Sequence, residues 1–134
     1  MSPEQARVAM MTKVADVLST NLPTLPAFYE NSDAIPIAEV GDAFVRVRMD
    51  INNSKQAEMG ETPITRHAGE LCFTHAQRKG TGTSALLTRA NTINNELKHF
   101  SSGQLQFAVP YPGRKESHDG WYFQDWCVPF WFHD

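Results

Sequence analysis

Five histidines and two cysteines are the residues of this sequence best suited to metal binding or nucleophilic chemistry. Their spacing argues against both uses. His67 and His75 share one face of a strand-like run but sit too far apart for one ion, and Glu70 falls between them on the opposite face. His99, His118 and His133 are scattered. Cys72 and Cys127 belong to no CxxC pair, and each lies in an apolar strand-like run, which predicts two buried free thiols in a reducing compartment. No serine stands in a GxSxG turn, and neither cysteine neighbours an obvious base. Gly80-Thr81-Gly82-Thr83-Ser84 precedes a helical pattern and its amides could cradle a phosphate. It has neither GxxxxGK[ST] spacing nor a third glycine, so it reads as a strand-to-helix turn and cap. Arg46 and Arg48 could bind an anion, with a solvated strand face as the simpler reading. No catalytic residue, cofactor or metal is expected, and the chain is not expected to be an enzyme.

The elements that position these residues follow from pattern. Ser2-Pro3-Glu4-Gln5 has the form of a capping box with proline at the first helical position. Met10, Met11, Val14, Val17 and Leu18 then recur at helical spacing, and Asn21 to Pro26 ends the helix. A short extended run follows at Ala27 to Glu30. Phe44 to Ile51 alternates as a strand, with Val45, Val47 and Met49 on one side and Arg46, Arg48 and Asp50 on the other. Asn52 to Thr65 is polar and without period, which predicts a long mobile loop. Arg66 to Gln77 reads as a strand, and Leu86, Ala90, Ile93, Leu97 and Phe100 form the stripe of a second helix whose Arg89 faces out. Gln104 to Val109 reads as a third strand, and Pro110 to Gly120 as a turn-rich connection. Trp121 to Phe132 is apolar on both alternating faces, so both faces need cover. A neighbouring subunit is the natural second cover. The pattern predicts one domain over 1–134 of α+β class, two helices packed on one face of a mostly antiparallel sheet.

The chain has 134 residues, 41% hydrophobic and 20% charged, with a formal net charge of −3. These values place it among ordinary globular domains. Its longest basic cluster is Arg78-Lys79, which disfavours tight phosphate binding. The aromatic C-terminal segment has no basic interleaving and so does not read as a base-stacking platform. No apolar run approaches the ~18 residues of a membrane span, and the opening residues do not have the pattern of a signal peptide. Accumulation in the cytoplasm of the producing cell is the expectation.

Four stretches, in order, resemble the tail terminators of long-tailed phages, the family of the small minor tail protein of lambda-like viruses. They are Pro26-Ala27-Phe28-Tyr29-Glu30-Asn31, then Phe44-Val45-Arg46-Val47, then Arg66 to Leu71 running into Gly80-Thr81-Gly82, and last Gly120-Trp121-Tyr122 with Val128-Pro129-Phe130. Trp126-Cys127 and Trp131-Phe132 depart from the family in carrying larger side chains. The resemblance implies a virion structural protein without catalytic residues or cofactor, forming a hexameric ring. Such a ring binds the end of the tail tube, stops its polymerisation and offers a surface to the head–tail connector, while DNA passes through without specific binding. Its place would be the head-proximal end of the virion tail, after assembly in the host cytoplasm. A head-completion or connector ring is the alternative. On this reading Trp121, Phe123, Trp126, Phe130, Trp131, Arg46 and Arg48 are the expected subunit interface, the arginines pairing with acidic groups of a neighbour. Lys55, Glu58, Met59 and Glu61 are the expected contacts to the major tail tube protein.

Overall fold

The computed structural model describes residues 1–30, 41–56, 60 and 63–134. Its first element is helix α1 (Pro3–Asn21), where the expected capping box forms: Gln5 N–H donates to Ser2 Oγ, and Ser2 N–H donates to the Gln5 side chain. Pro3 has no N–H, so two of the three orphan amides of the first turn are thereby satisfied. Strand β1 (Ala27–Tyr29) runs parallel to β2 (Ala43–Gln56), which pairs antiparallel with β3 (Thr65–Arg78). Helix α2 (Ser84–Leu97) follows, then the short hairpin of β4 (Ser101–Ser102) and β5 (Leu105–Phe107). The chain closes with β6 (Tyr111–His118) and β7 (Trp121–His133).

The sheet order is β1-β2-β3-β7-β5-β4, with β6 paired to β7 as well. β7 meets β6 over its first half and β5 beyond it, while β3 lies along its whole opposite side.

The expected α+β class is corrected to a mostly β one. Among the described residues 48% lie in strands and 28% in helices, and the sheet curls into a half-barrel instead of forming an open layer. Three strands of 14, 14 and 13 residues supply the length over which the intrinsic strand twist accumulates into curl. β2 and β6 each carry an irregular step in register, at Ile51/Asn53 and Pro112/Lys115, and bulges bend strands further. Two segments expected to be loops are strand. Asn52 to Gln56 continues β2 to pair with Ala68 through Thr65, and the Tyr111 to His118 stretch is β6. The long expected loop shrinks to the link between Gln56 and Thr65. Lys55 therefore sits on a strand opposite Arg66, while Glu58, Met59 and Glu61 lie outside the described residues, as does Asn31.

The larger core lies between the helices and one side of the sheet. It joins Ala6, Met10, Val14, Val17 and Leu18 of α1 and Ile93 and Leu97 of α2 to Val45, Val47, Leu71, Phe73, Val128, Phe130 and Phe132. A smaller cluster of Phe44, Ala76, Trp121 and Phe123, with Phe28 against it, occupies the opposite side. The alternation of strand side chains puts the two clusters on opposite faces.

One glycine is demanded by backbone approach. At Gly69, beside the register step in β2, an added Cβ would stand 1.9 Å from the Asp50 carbonyl oxygen. Backbone cannot yield as a side chain end can, so Gly69→Ala should destabilise the fold by roughly 2–3 kcal/mol, the upper part of the overpacking range. Urea unfolding of the variant checks this, and a loss within error of zero would show that the two strands separate freely.

Candidate functional site

The sheet face turned away from the helices holds most of the chemistry of the chain. Strand register builds it in rows. Arg48 of β2, Cys72 of β3, Cys127 of β7 and Tyr111 of β6 stand side by side, and so do Asp50, Glu70 and Pro129 one row away. Arg46, Thr74 and Asp125 form the row on the other side.

A hydrogen-bonded chain crosses these rows. Arg48 donates to Asp50 Oδ2 at 3.3 Å and to Thr74 Oγ1 at 3.4 Å, and the Thr74 hydroxyl donates to Asp125 Oδ1 at 2.6 Å. The Tyr111 hydroxyl donates to Glu70 Oε1. That carboxylate, then burial, pushes the phenol pKa up to about 12. To make the contact Tyr111 reaches from β6 across β7 to β3, over the row of the two cysteines. Those cysteines are buried as expected but not free: Cys72 and Cys127 are directly opposed in register and joined in a disulfide. Sequence spacing could not reveal this, because the pairing depends on which strands become neighbours.

The aromatic cluster on this face is roofed by cationic or ring nitrogen groups. The Arg78 guanidinium lies 4.2 Å from the Trp121 ring centre, that of Arg46 5.4 Å from Phe44, and the His118 ring stacks on Phe123 at 4.9 Å. The two cation–π contacts add ~0.5–1 kcal/mol each at exposed sites.

The expected interface residues divide accordingly. Trp121, Phe123 and Phe130 are buried within the protomer, Phe130 in the helix-side core and the other two under this cationic roof. Trp126 and Trp131 are half-buried, Trp131 beneath the Arg66 guanidinium. Arg46 is exposed, whereas Arg48 is half-buried with an acidic partner on its own strand. Of the expected interface set, Trp126, Trp131 and Arg46 keep the surface that is neither buried in the protomer core nor paired to an acid of their own strand.

Two further polar groupings lie elsewhere. Ser54 Oγ is 2.6 Å from His67 Nδ1, and His67 Nε2 is 3.5 Å from Asp134 Oδ2, so a hydroxyl, an imidazole and a carboxylate are linked across β2, β3 and the end of β7. On the helix side His75 is fully buried, and neither ring nitrogen has a hydrogen-bond partner among the described residues. Burial first, then the charge of Arg89, brings its pKa down to about 4, with Asp125 opposing. Arg89 was expected to face solvent. Instead it turns inward and donates to Gln77 Oε1 at 2.6 Å, leaving its Nε buried and, like Trp126 Nε1, without a hydrogen-bond partner among the described residues. The turn before α2 also departs from expectation, since Thr83 makes no side-chain cap bond. Thr81 bonds back to the Arg78 carbonyl and accepts from Gln77, which fixes the turn as a strand-to-helix connector. No helix is long and apolar enough to cross a membrane among the described residues.

No family model and no curated protein matches this chain. Eight solved chains match it in structure. One of them, described only by a serial designation, superposes with a TM-score of 0.74 at 15% identity, covering 98% of this chain and 96% of its own. At that identity the likeness shows a shared fold and nothing about activity.

Proposed function

We propose that this chain is a ring-forming virion structural protein, a tail terminator that stops tail-tube polymerisation and presents a docking surface to the head–tail connector. The observation that carries the reading is that the curled half-barrel keeps an exposed edge strand. All eight residues of β6 are exposed, and the strand pairs on one side with β7. Among the described residues β1 ends the sheet on the other side. An exposed edge is a ready pairing template, and contact between unlike edges of successive protomers closes into a ring when the rotation permits. The exposed Arg46 of β2, beside the β1 edge, supplies a side chain to such a contact. The ordered sequence likeness to phage tail terminators supplies the identity of the ring.

Purified protein mixed with tail tubes should cap one tube end with six-fold density in negative-stain images, six chains weighing roughly 90 kDa. A tube-bound monomer or dimer would overturn the ring. Binding to DNA-filled heads in place of tubes would transfer the chain to the head-completion class. The Ser54–His67–Asp134 link favours a second reading, a small hydrolase with His67 as base. Ester hydrolysis by the parent that His67→Ala abolishes would carry that reading.

A further inference from the structure

We propose that, once the Cys72–Cys127 bond is reduced, Cys72, Cys127 and Glu70 bind one soft divalent cation, Zn²⁺ foremost. The inference is independent of the ring reading. A sulfur from each cysteine and a carboxylate oxygen of Glu70 all lie within 4.8 Å of one another. The three side chains project from adjacent, fully paired strands, so their spacing is set by sheet register. Glu70 is oriented for the task. Tyr111 holds Oε1, and Oε2 stands 3.8 Å from Cys72 Sγ. A partner that fixes a ligating carboxylate in this way is a recurrent feature of built metal sites.

Donor chemistry selects the ion. Thiolate and carboxylate are both zinc donors, and thiolates discriminate against hard ions such as Mg²⁺ and Ca²⁺. Three anionic donors around a divalent ion leave one net negative charge, and Arg48, opposite Cys72 in register on the same face, lies where it can offset it. Glu70 and Tyr111 bring the site to the surface, Tyr111 being 38% exposed, so a water can complete four-fold coordination. The redox step balances with a water-soluble phosphine. The S–S bond breaks, phosphorus takes the oxygen of one water to become phosphine oxide, and the two hydrogens of that water end on the sulfurs. The cation then displaces both thiol protons to solvent.

The test is a Co²⁺ titration of the full chain, reduced with phosphine under anaerobic conditions, followed by thiolate-to-cobalt charge-transfer absorption and by native mass spectrometry with Zn²⁺. The reduced parent should take up one ion per chain with charge-transfer bands, and the oxidised parent none. Cys127→Ser should weaken binding roughly 100-fold and Glu70→Gln roughly 10-fold, a range typical of losing groups in or beside a metal's ligand set. Glu70 is half-buried at the surface and Gln keeps its shape, so that variant reads the site even where the cysteine variant misfolds. A reduced parent without charge-transfer bands would overturn the proposal. So would equal uptake by the oxidised chain, or unchanged affinity in Glu70→Gln.

Discussion

Reducing the Cys72–Cys127 bond should lower the unfolding free energy by roughly 4 kcal/mol at neutral pH. The cross-link joins positions separated by 55 residues, and closing a loop of that length removes about this much entropy from the unfolded ensemble. The native fold should survive reduction, because β3 and β7 stay paired along thirteen register positions and the larger core lies on the opposite sheet face. Urea unfolding with and without a phosphine, alongside the double variant Cys72→Ala, Cys127→Ala, measures the effect as a shift in midpoint. Parent and variant should coincide once reduced. A loss below about 1 kcal/mol would mean that the unfolded chain is barely constrained by the bond.

The second large effect is a loss of stability in acid that traces to one imidazole. His75 is neutral in the folded protein, with a pKa of about 4 against an ordinary 6.5. Well above pH 6.5 neither folded nor unfolded chain protonates this ring, and it contributes no pH dependence. As pH falls from there the unfolded chain takes up a proton that the native state refuses, so stability drops until the native ring titrates near pH 4. A depression of this size corresponds to roughly 3 kcal/mol across the window. His75→Leu, close in volume and without ring nitrogens, removes the liability. Its unfolding free energy at pH 7 should match or exceed that of the parent, because two buried, unpartnered nitrogens are gone. The difference between the two proteins should widen as the pH is lowered. Parallel acid limbs in the two would show that His75 is not the group responsible.

How far the sequence disclosed this arrangement varies by element, for physical reasons. α1 was readable in detail because a capping box and an apolar stripe are local devices, and α2 announced itself through Leu86, Ala90, Ile93 and Leu97. β6 was not readable from periodicity, since a strand exposed at every position carries no alternation. A turn signal was nevertheless present. Asp119 and Gly120 both adopt positive φ, 53° and 81°, in the two-residue loop joining β6 to β7, and an Asp-Gly pair is a strong hairpin marker. The continuation of β2 past Asn52 was hidden for a similar reason, its residues to Gln56 all being exposed. Trp121 and Phe123 read as unsatisfied apolar surface because nothing local predicts that Arg78 and His118 will lie over them. The disulfide and the inward turn of Arg89 depend on tertiary neighbours and have no local signature.

The three tryptophans all sit on β7, at Trp121, Trp126 and Trp131. Tryptophan fluorescence of this protein is therefore the optical record of a single strand, read at three stations along it. Trp121 reports the hairpin with β6, under a guanidinium. Trp126 lies in register with Phe73 and next in sequence to Cys127, whose disulfide is an efficient quencher. Trp131 faces Gln106 of β5 from beneath Arg66. Emission should brighten on reduction while the strand stays docked, and shift to the red only when β7 leaves the sheet. One spectrum thus separates the opening of a covalent bond from the loss of the fold.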